Sequence, residues 1–332
     1  MDGRASPIVA ALNVSVPSVI CPIYPFYAAR LPDVPGENTA CTVTASKVFS
    51  EVDAFFVPDG DLMVASELTR GPWDASSQHA GPPAALLGRA IERCDGIGEG
   101  PADRHVGRVT YEILAPVPIA PLRVEAEVTR GGKRVDMVEA TLSAEGGAPV
   151  VRARGWRLLR RDVELPEGLG SSEAGSAAHE AGRPSGEPGS PTPPEEIGRA
   201  DVFFPTGEEV GYHTAMDVRF DRGSFVEIGP AVAWMRAMHP LVAGEELSPL
   251  QRVLIAADSG NGISSTLDFH RFVFINVDLT VHLSRMPAGE WVCLDAVTVP
   301  EPHGAGISDT MLRDELGPLG RASQTLLISE RS

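Results

Sequence analysis

Apolar residues recur along the chain with two different periods, and each period is found in both halves. A helical period of about 3.6 residues predicts a helix over residues 82–94. A second helix is predicted after Ser248 and Pro249, residue types that suit an N-cap and a first helical turn. Its apolar face carries Leu250 and Leu254, and Asp258 follows on or beside that face.

Shorter runs alternate with a period of two, which predicts antiparallel strands with one buried face. In the first half these runs occupy residues 108–114, 122–130, 134–145 and 150–159. Within the second of them, Val124, Ala126 and Val128 are expected to share the buried face. In the second half they occupy residues 212–220, 231–238, 274–283, 290–299, 306–315 and 320–328.

The two halves therefore repeat one order, a helix followed by a run of strands. Their last strands also align in sequence: "APVVRARGWRLL" over "GPLGRASQTLLI" places Gly155 over Gln324. Such similarity indicates an internal duplication of about 110–130 residues. We expect an α+β fold in which each unit wraps a curved antiparallel sheet around one long helix, as in the hotdog fold. Two tandem units make a double hotdog.

Residues 162–199 divide the chain by composition. They contain no aromatic residue, are dense in Gly, Pro and Ser, and carry eight acidic residues against two arginines. Such a segment buries too little apolar surface to offset the entropy of ordering, which predicts a disordered linker. The expected domains are then residues 48–161 and 200–332, preceded by a poorly ordered N-terminal extension over residues 1–47.

Composition excludes several classes of function. A hydrophobic fraction of 43% suits a globular protein, and a net charge of −17 argues against nucleic acid, which is bound through Lys and Arg. The sequence contains no uninterrupted run of about 18 apolar residues, so no transmembrane helix is predicted. The four cysteines form no C-x-x-C pair and the eight histidines have no ligand spacing, so we expect reduced thiols, a cytoplasmic protein and no bound metal.

Asp258 is the residue that the pattern leaves unexplained. A carboxylate on or beside a buried helix face is costly unless it is paired, and negative charge is disfavoured near a helix C-terminus. No G-x-S-x-G nucleophile motif and no H-E-x-x-H zinc motif occurs in the chain. One interpretation makes Asp258 a general base; the other makes it a turn residue that hydrogen-bonds the backbone of residues 259–262.

Four blocks carry a resemblance to a known family: "HAGPPAALLGRAIE", "AADSGNG", "NVDLTVHLSRMPAGEWVCLDA" and "GPLGRASQTLL". They resemble thioesterase II-type acyl-CoA thioesterases, in a branch of double-hotdog proteins common in actinobacteria. The resemblance implies hydrolysis of an acyl thioester to acid and thiol without a cofactor. It also implies a catalytic trio of Asp258, Asn276 and Gln324, in which Asn276 stands where the family more often has Thr. Thr280, further along the same predicted strand, could substitute for Asn276.

The chemistry expected of these residues is simple. Asp258 would take a proton from water, while Asn276 and Gln324 would position that water. His79 and Gly81 precede the first helix, where Gly81 would permit close approach of a backbone and the helix N-terminus would favour a thioester carbonyl or a phosphate. The partner is an acyl-CoA or another acyl thioester, and a homo-oligomer could form through sheet or helix faces.

Structural interpretations of the same residues stay open at this point. Asn276 could be a polar strand-edge residue, Gln324 could face solvent, and His79 could pack on the other domain near an N-cap. The four tryptophans are expected in cores or at the domain interface. A non-catalytic acyl-binding or assembly module is the alternative function. A hotdog hydratase is disfavoured because the chain lacks an Asn-Pro dipeptide.

Overall fold

The structure is a computed structural model that describes residues 53–95, 103–144, 147–164, 166, 190–201 and 206–331. The expected N-terminal extension over residues 1–47 lies outside the described residues, as do residues 167–189 of the predicted linker. Four helices occupy Gly81–Arg93 (α1), Tyr212–Ala215 (α2), Pro249–Ala257 (α3) and Gly260–Ile263 (α4) in the described part of the chain.

The strands of the first half are Phe56–Asp59 (β1), Leu62–Ala65 (β2), Arg104–Ile113 (β3), Pro121–Arg130 (β4), Val135–Ala144 (β5) and Pro149–Leu159 (β6). Those of the second half are Met216–Arg222 (β7), Ala231–Ala237 (β8), Phe272–Asn276 (β9), Asp278–Leu283 (β10), Val292–Pro300 (β11), Ala305–Asp314 (β12) and Gly317–Glu330 (β13).

Among the described residues these strands form one sheet in the order β1-β2-β4-β5-β6-β3-β10-β13-β12-β11-β8-β7, with β9 also paired to β13. The halves meet at its centre, where β3 and β10 run antiparallel with Val109 opposite Val281. Outward from this pair, the strand order is β3-β6-β5-β4 in the first half and β10-β13-β12-β11 in the second, so the two halves have the same arrangement. The sheet therefore reproduces the duplication inferred from the sequence. The double hotdog prediction is confirmed.

The two long helices cross on one face of this sheet and run antiparallel. At one end Ser248 Oγ donates to Glu92 Oε2 at 2.7 Å, and at the other Gly81 lies against Ile255. A β-carbon on Gly81 would lie 2.3 Å from the Ile255 carbonyl oxygen. Gly81 therefore permits close approach of a backbone, here that of α3 at Ile255. The N-cap prediction for Ser248 is confirmed, since its Oγ accepts from the Gln251 N–H.

Three details of the strand prediction are wrong. The run 212–220 begins with a helical turn, Tyr212–Ala215, before β7 starts. The run 274–283 is broken at Val277 into β9 and β10. Ala126, expected on the buried face of β4, is exposed. The reason is that β2 pairs with β4 only over residues 121–123, so Ala126 has a neighbouring strand on one side, β5.

The end of the predicted linker also differs from expectation. Residues 190–199 are placed on the second half: the Trp234 indole N–H donates to the Thr192 carbonyl at 2.8 Å, and Arg219 donates to the Pro194 carbonyl at 2.6 Å. Ile197 packs against a small apolar cluster that includes Trp234. The carbonyl groups and one apolar side chain suffice to anchor a stretch whose composition alone predicts disorder.

Candidate active site

Asp258 is the C-cap residue of α3 and its side chain is only 4% exposed. Its place at a helix C-terminus is electrostatically unfavourable on its own helix. The antiparallel crossing, however, brings the N-terminus of α1 to the same point, because Gly81 lies against Ile255. The positive end of the α1 dipole thus faces the carboxylate of Asp258. This arrangement depends on the tertiary structure, because α1 and α3 are far apart along the chain.

The three residues of the expected trio are in direct contact. Asn276 Nδ2 donates to Asp258 Oδ1 at 2.6 Å, and Gln324 Nε2 donates to the same oxygen at 3.2 Å. Gln324 Nε2 also donates to the Asp258 carbonyl at 3.0 Å, and its Oε1 accepts from the Asn261 N–H at 3.2 Å. The buried Gln324 amide therefore serves to hold Asp258 in place. The half-buried Asn276 uses Nδ2 to bind Asp258, which leaves its amide oxygen for another partner.

His79 joins the trio from the other half of the chain. Its Nδ1 lies 3.1 Å from Asp258 Oδ2 and 3.1 Å from the Gly81 nitrogen. Burial lowers the pKa of His79, and the nearby Asp258 charge opposes that shift without reversing it. A neutral imidazole results, whose Nδ1 accepts from Gly81 when bare and donates to Asp258 when protonated.

Tyr212 is a member of the site that the sequence analysis missed. Its ring stacks on the His79 imidazole, with centroids 3.7 Å apart and planes 3° from parallel. Its hydroxyl donates to the Ile255 carbonyl at 2.8 Å and lies 3.0 Å from Ser259 Oγ. Burial raises the pKa of the Tyr212 hydroxyl well above its usual range. No local sequence pattern identifies Tyr212 as a site residue, and the sequence analysis placed it in a predicted strand over residues 212–220.

Thr280 does not share the face of Asn276. Asn276 is opposite Leu326 of β13, whereas Thr280 is opposite Ser323, so the pairing shifts by one residue at Val277. A shift of one residue transfers side chains to the other face of a sheet. Thr280 consequently points away from Gln324, and its hydroxyl donates to Thr110 Oγ1 at 3.3 Å. The expected substitution of Thr280 for Asn276 is wrong.

The corresponding place in the first half is apolar. Gly155 aligns with Gln324, and a β-carbon on Gly155 would lie 2.6 Å from Ile91 Cγ2. Ile91 lies ten residues after Gly81, as Asp258 lies ten residues after Ser248. The duplicated helix thus packs Ile91 onto Gly155 where the second helix places Asp258 on Gln324, and the first half has no equivalent trio in its described residues.

A cavity opens beside this constellation. His79, Tyr212, Ser259 and Asn261 lie on its polar side. Its apolar lining includes Trp73, so this tryptophan, expected in a core or interface, borders the candidate site. Asp258 precedes Ser259 in sequence, and its Oδ2 lies 3.1 Å from His79 Nδ1, so the carboxylate contacts one residue of the cavity lining and is next to another.

Comparison with known families agrees with this geometry. The acyl-CoA thioesterase N-terminal domain matches residues 69–158, and the acyl-CoA thioesterase C-terminal domain matches residues 186–328. The chain belongs to the acyl-CoA thioesterase family. The second match begins before residue 190, in agreement with the packing of residues 190–199 on the second half of this thioesterase.

Solved structures show the same fold. A candidate thioesterase II from Thermobifida fusca YX is 18% identical with a TM-score of 0.59, over 83% of this chain and 96% of that one. A hot dog fold protein from Alicyclobacillus acidocaldarius is 17% identical with a TM-score of 0.59, over 84% and 97%. The acyl-CoA thioesterase II TesB2 from Mycobacterium marinum is 12% identical with a TM-score of 0.53, over 77% and 91%.

Two further findings complete the comparison. A search of curated proteins gives no match. None of the helices in the described ranges is long and apolar enough to cross a membrane.

Proposed function

We propose that this thioesterase hydrolyses its acyl thioester with a water that Asp258 activates. The supporting observation is that the two carboxylate oxygens of Asp258 have different partners. Oδ1 is held by the amides of Asn276 and Gln324, whereas Oδ2 faces the His79 ring at the cavity wall. A carboxylate fixed in this way keeps a lone pair on Oδ2 for a proton, and its orientation is set before the substrate arrives.

The proposed reaction has two steps. Water attacks the thioester carbonyl carbon while Asp258 takes one of its protons. The tetrahedral intermediate then collapses, the carbon–sulfur bond breaks, and the protonated Asp258 gives its proton to the departing thiolate. Asn276, with its remaining amide hydrogen and its oxygen, is the trio member left to hold the water.

The oxyanion is proposed to be met by the N-terminus of α1. Pro82 and Pro83 have no N–H, so the Gly81 amide is the donor that the first three helical positions offer. That N–H contacts His79 Nδ1. When the Nδ1 proton faces Asp258, this contact is lost and the Gly81 N–H becomes available to a carbonyl oxygen. His79 and Gly81 would thus act as one substrate-binding unit.

The alternative, a non-catalytic acyl-binding module, is not favoured, because both halves match acyl-CoA thioesterase domains. We further propose acyl-CoA as the thioester, a role in fatty acid metabolism and a cytoplasmic setting, supported by the family and by four sparse cysteines. Association through sheet or helix faces is proposed as well, and light scattering of the purified chain tests it.

The experiment is thiol release from acyl-CoA by Asp258→Asn, with a melting curve for each variant. General-base catalysis contributes about 10²–10⁴-fold, so kcat should fall within that range. Gln324→Ala should cost about tenfold, since it orients the carboxylate, and Asn276→Thr should preserve the rate or raise it. Asp309→Asn, on the outer face of the same sheet, is the control and should behave as wild type.

An Asp258→Asn variant with an unchanged rate and an unchanged melting curve would reduce Asp258 to a turn residue. The proposed mechanism would then be abandoned.

A further inference from the structure

The cavity beside the candidate site is small. Its lining combines polar residues, such as Tyr212, Ser259 and Asn261, with apolar ones, among them Phe225 and Met235. About 60 Å³ inside it is open to the centres of water-sized groups. A single bound water needs about 10–15 Å³, so the cavity offers more room than one water requires but is still small.

Met235 closes the cavity toward the core. It is 1% exposed and lies on the helix-facing side of β8. Its neighbours across the sheet are Val218 of β7 and Val292 of β11, which are also buried. Close-packed cores contain few voids larger than a water molecule, so a chain that enters the cavity meets packed side chains behind Met235.

The other two apolar walls are braced by further aromatic rings. Trp73 packs against Phe269 and Phe274, each with ring centroids 4.9 Å away. Phe225 meets Phe220 of β7 edge to face, with centroids 5.0 Å apart. Moving either wall would break these aromatic contacts, which add to the stabilisation from buried area. The walls therefore resist being pushed outward by a longer ligand.

We propose that this cavity receives the acyl group, and that Met235 and Phe225 limit the acyl group to a short chain. The position supports the assignment: His79 and Ser259 line the cavity, and Asp258 lies next to both. The apolar lining suits a hydrocarbon chain, and the closed floor excludes long ones. This inference rests on the proposed function and names the substrate class of the same site.

A thiol-release series over acetyl-, butyryl-, octanoyl- and dodecanoyl-CoA tests the limit. One misfitting methylene in a closed apolar pocket changes kcat/KM by about 10–200-fold. Butyryl-CoA should accordingly exceed octanoyl-CoA by at least about 100-fold. Met235→Ala removes three heavy atoms from the floor, and Phe225→Leu removes three from a wall, so each should move the preferred length upward by two to three carbons.

Met216→Ala is the matched control. Met216 is equally buried in the neighbouring strand β7 and is not among the residues that line the cavity. It should lose stability as Met235→Ala does, without changing the preferred length. Because Phe225 is only half-buried, Phe225→Leu keeps the test valid if both methionine variants fail to fold.

The outcomes separate this inference from the proposed function. A wild-type enzyme that cleaves dodecanoyl-CoA as fast as butyryl-CoA overturns the length limit and leaves the hydrolase intact. An unchanged preference in Met235→Ala and Phe225→Leu removes the cavity as the acyl site. If no thioester is cleaved, the proposed function fails, and binding of non-hydrolysable thioether analogues of the same lengths still decides whether the cavity selects short chains.

Discussion

Tyr212→Phe tests whether the phenol hydroxyl caps the helix that positions Asp258. At the end of α3, the Ser259 N–H donates to the Ala256 carbonyl, not to the Ile255 carbonyl one turn back. The Ile255 oxygen is then a terminal helix acceptor, and the Tyr212 hydroxyl satisfies it at 2.8 Å. Phenylalanine keeps the ring on His79 and removes this donor together with the contact to Ser259 Oγ.

The expected loss of stability follows mainly from the Ile255 carbonyl, because the Ser259 hydroxyl can rotate toward another partner. Leaving a buried carbonyl unpaired costs about 1–3 kcal/mol. At about 2 °C per kcal/mol for a chain of this size class, Tm should fall by about 2–6 °C. Activity should stay close to wild type, because the stack on His79 remains.

Tyr212→Leu removes the stack as well. An aromatic pair of this kind is worth about 0.5–1.5 kcal/mol, so kcat/KM should fall about two- to tenfold as the His79 ring loses its fixed orientation. Differential scanning calorimetry and thiol release are measured on the same preparations.

Tyr111→Phe is a matched control. Tyr111 is also a buried tyrosine, but its hydroxyl has no hydrogen-bond partner among the described residues. Removing a buried hydroxyl without a partner should be neutral or stabilising. Equal Tm changes in Tyr212→Phe and Tyr111→Phe would refute the capping argument, and an undiminished kcat/KM in Tyr212→Leu would refute the positioning of His79.

Two further predictions concern pH and helix packing. Burial lowers the pKa of His79 from its ordinary value of 6.5, so the unfolded chain binds the proton more readily than the folded one. Stability should thus decline as pH falls below about 6.5, and a pH series of Tm should show a shallower decline in His79→Asn; an identical slope would contradict it. Gly81→Ala should lower the free energy of unfolding by about 1–3 kcal/mol or more, because its β-carbon would lie 2.3 Å from a backbone oxygen. Gly88→Ala should cost less in urea titrations, since its β-carbon would meet the movable side chain of Leu254 at 2.2 Å and the Tyr111 hydroxyl at 3.4 Å, but no backbone atom. The reverse order would show that α1 does not need Gly81 for packing.

Local patterns in the sequence carry most of the fold. Apolar period and capping chemistry act within a few residues, so α1, the start of α3 at Ser248 and most strands could be predicted without knowing their neighbours. The repeat of helix and strands then implied the double hotdog. The same reasoning failed at Tyr212–Ala215 and at Val277, where pairing with distant strands decides what the backbone does.

The candidate site also separates what the sequence predicts from what only the tertiary structure decides. The resemblance selected Asp258, Asn276 and Gln324, and their residue types made base and amide roles plausible. Which atoms meet was not available from the sequence: the Gln324 amide turned out to hold Asp258, and the register shift at Val277 removed Thr280 from that face.

Sequence alone therefore indicated the two long helices, most strands, the duplication and the identity of one unusual acid. Tertiary structure decided the partners of that acid. His79 and Tyr212 lie far from Asp258 along the chain and on different elements, and only the antiparallel crossing of α1 and α3 brings them to one point. The physical reason is that capping and periodicity are short-range properties of the backbone, whereas the stability of a buried carboxylate depends on charges and donors supplied from other parts of the fold.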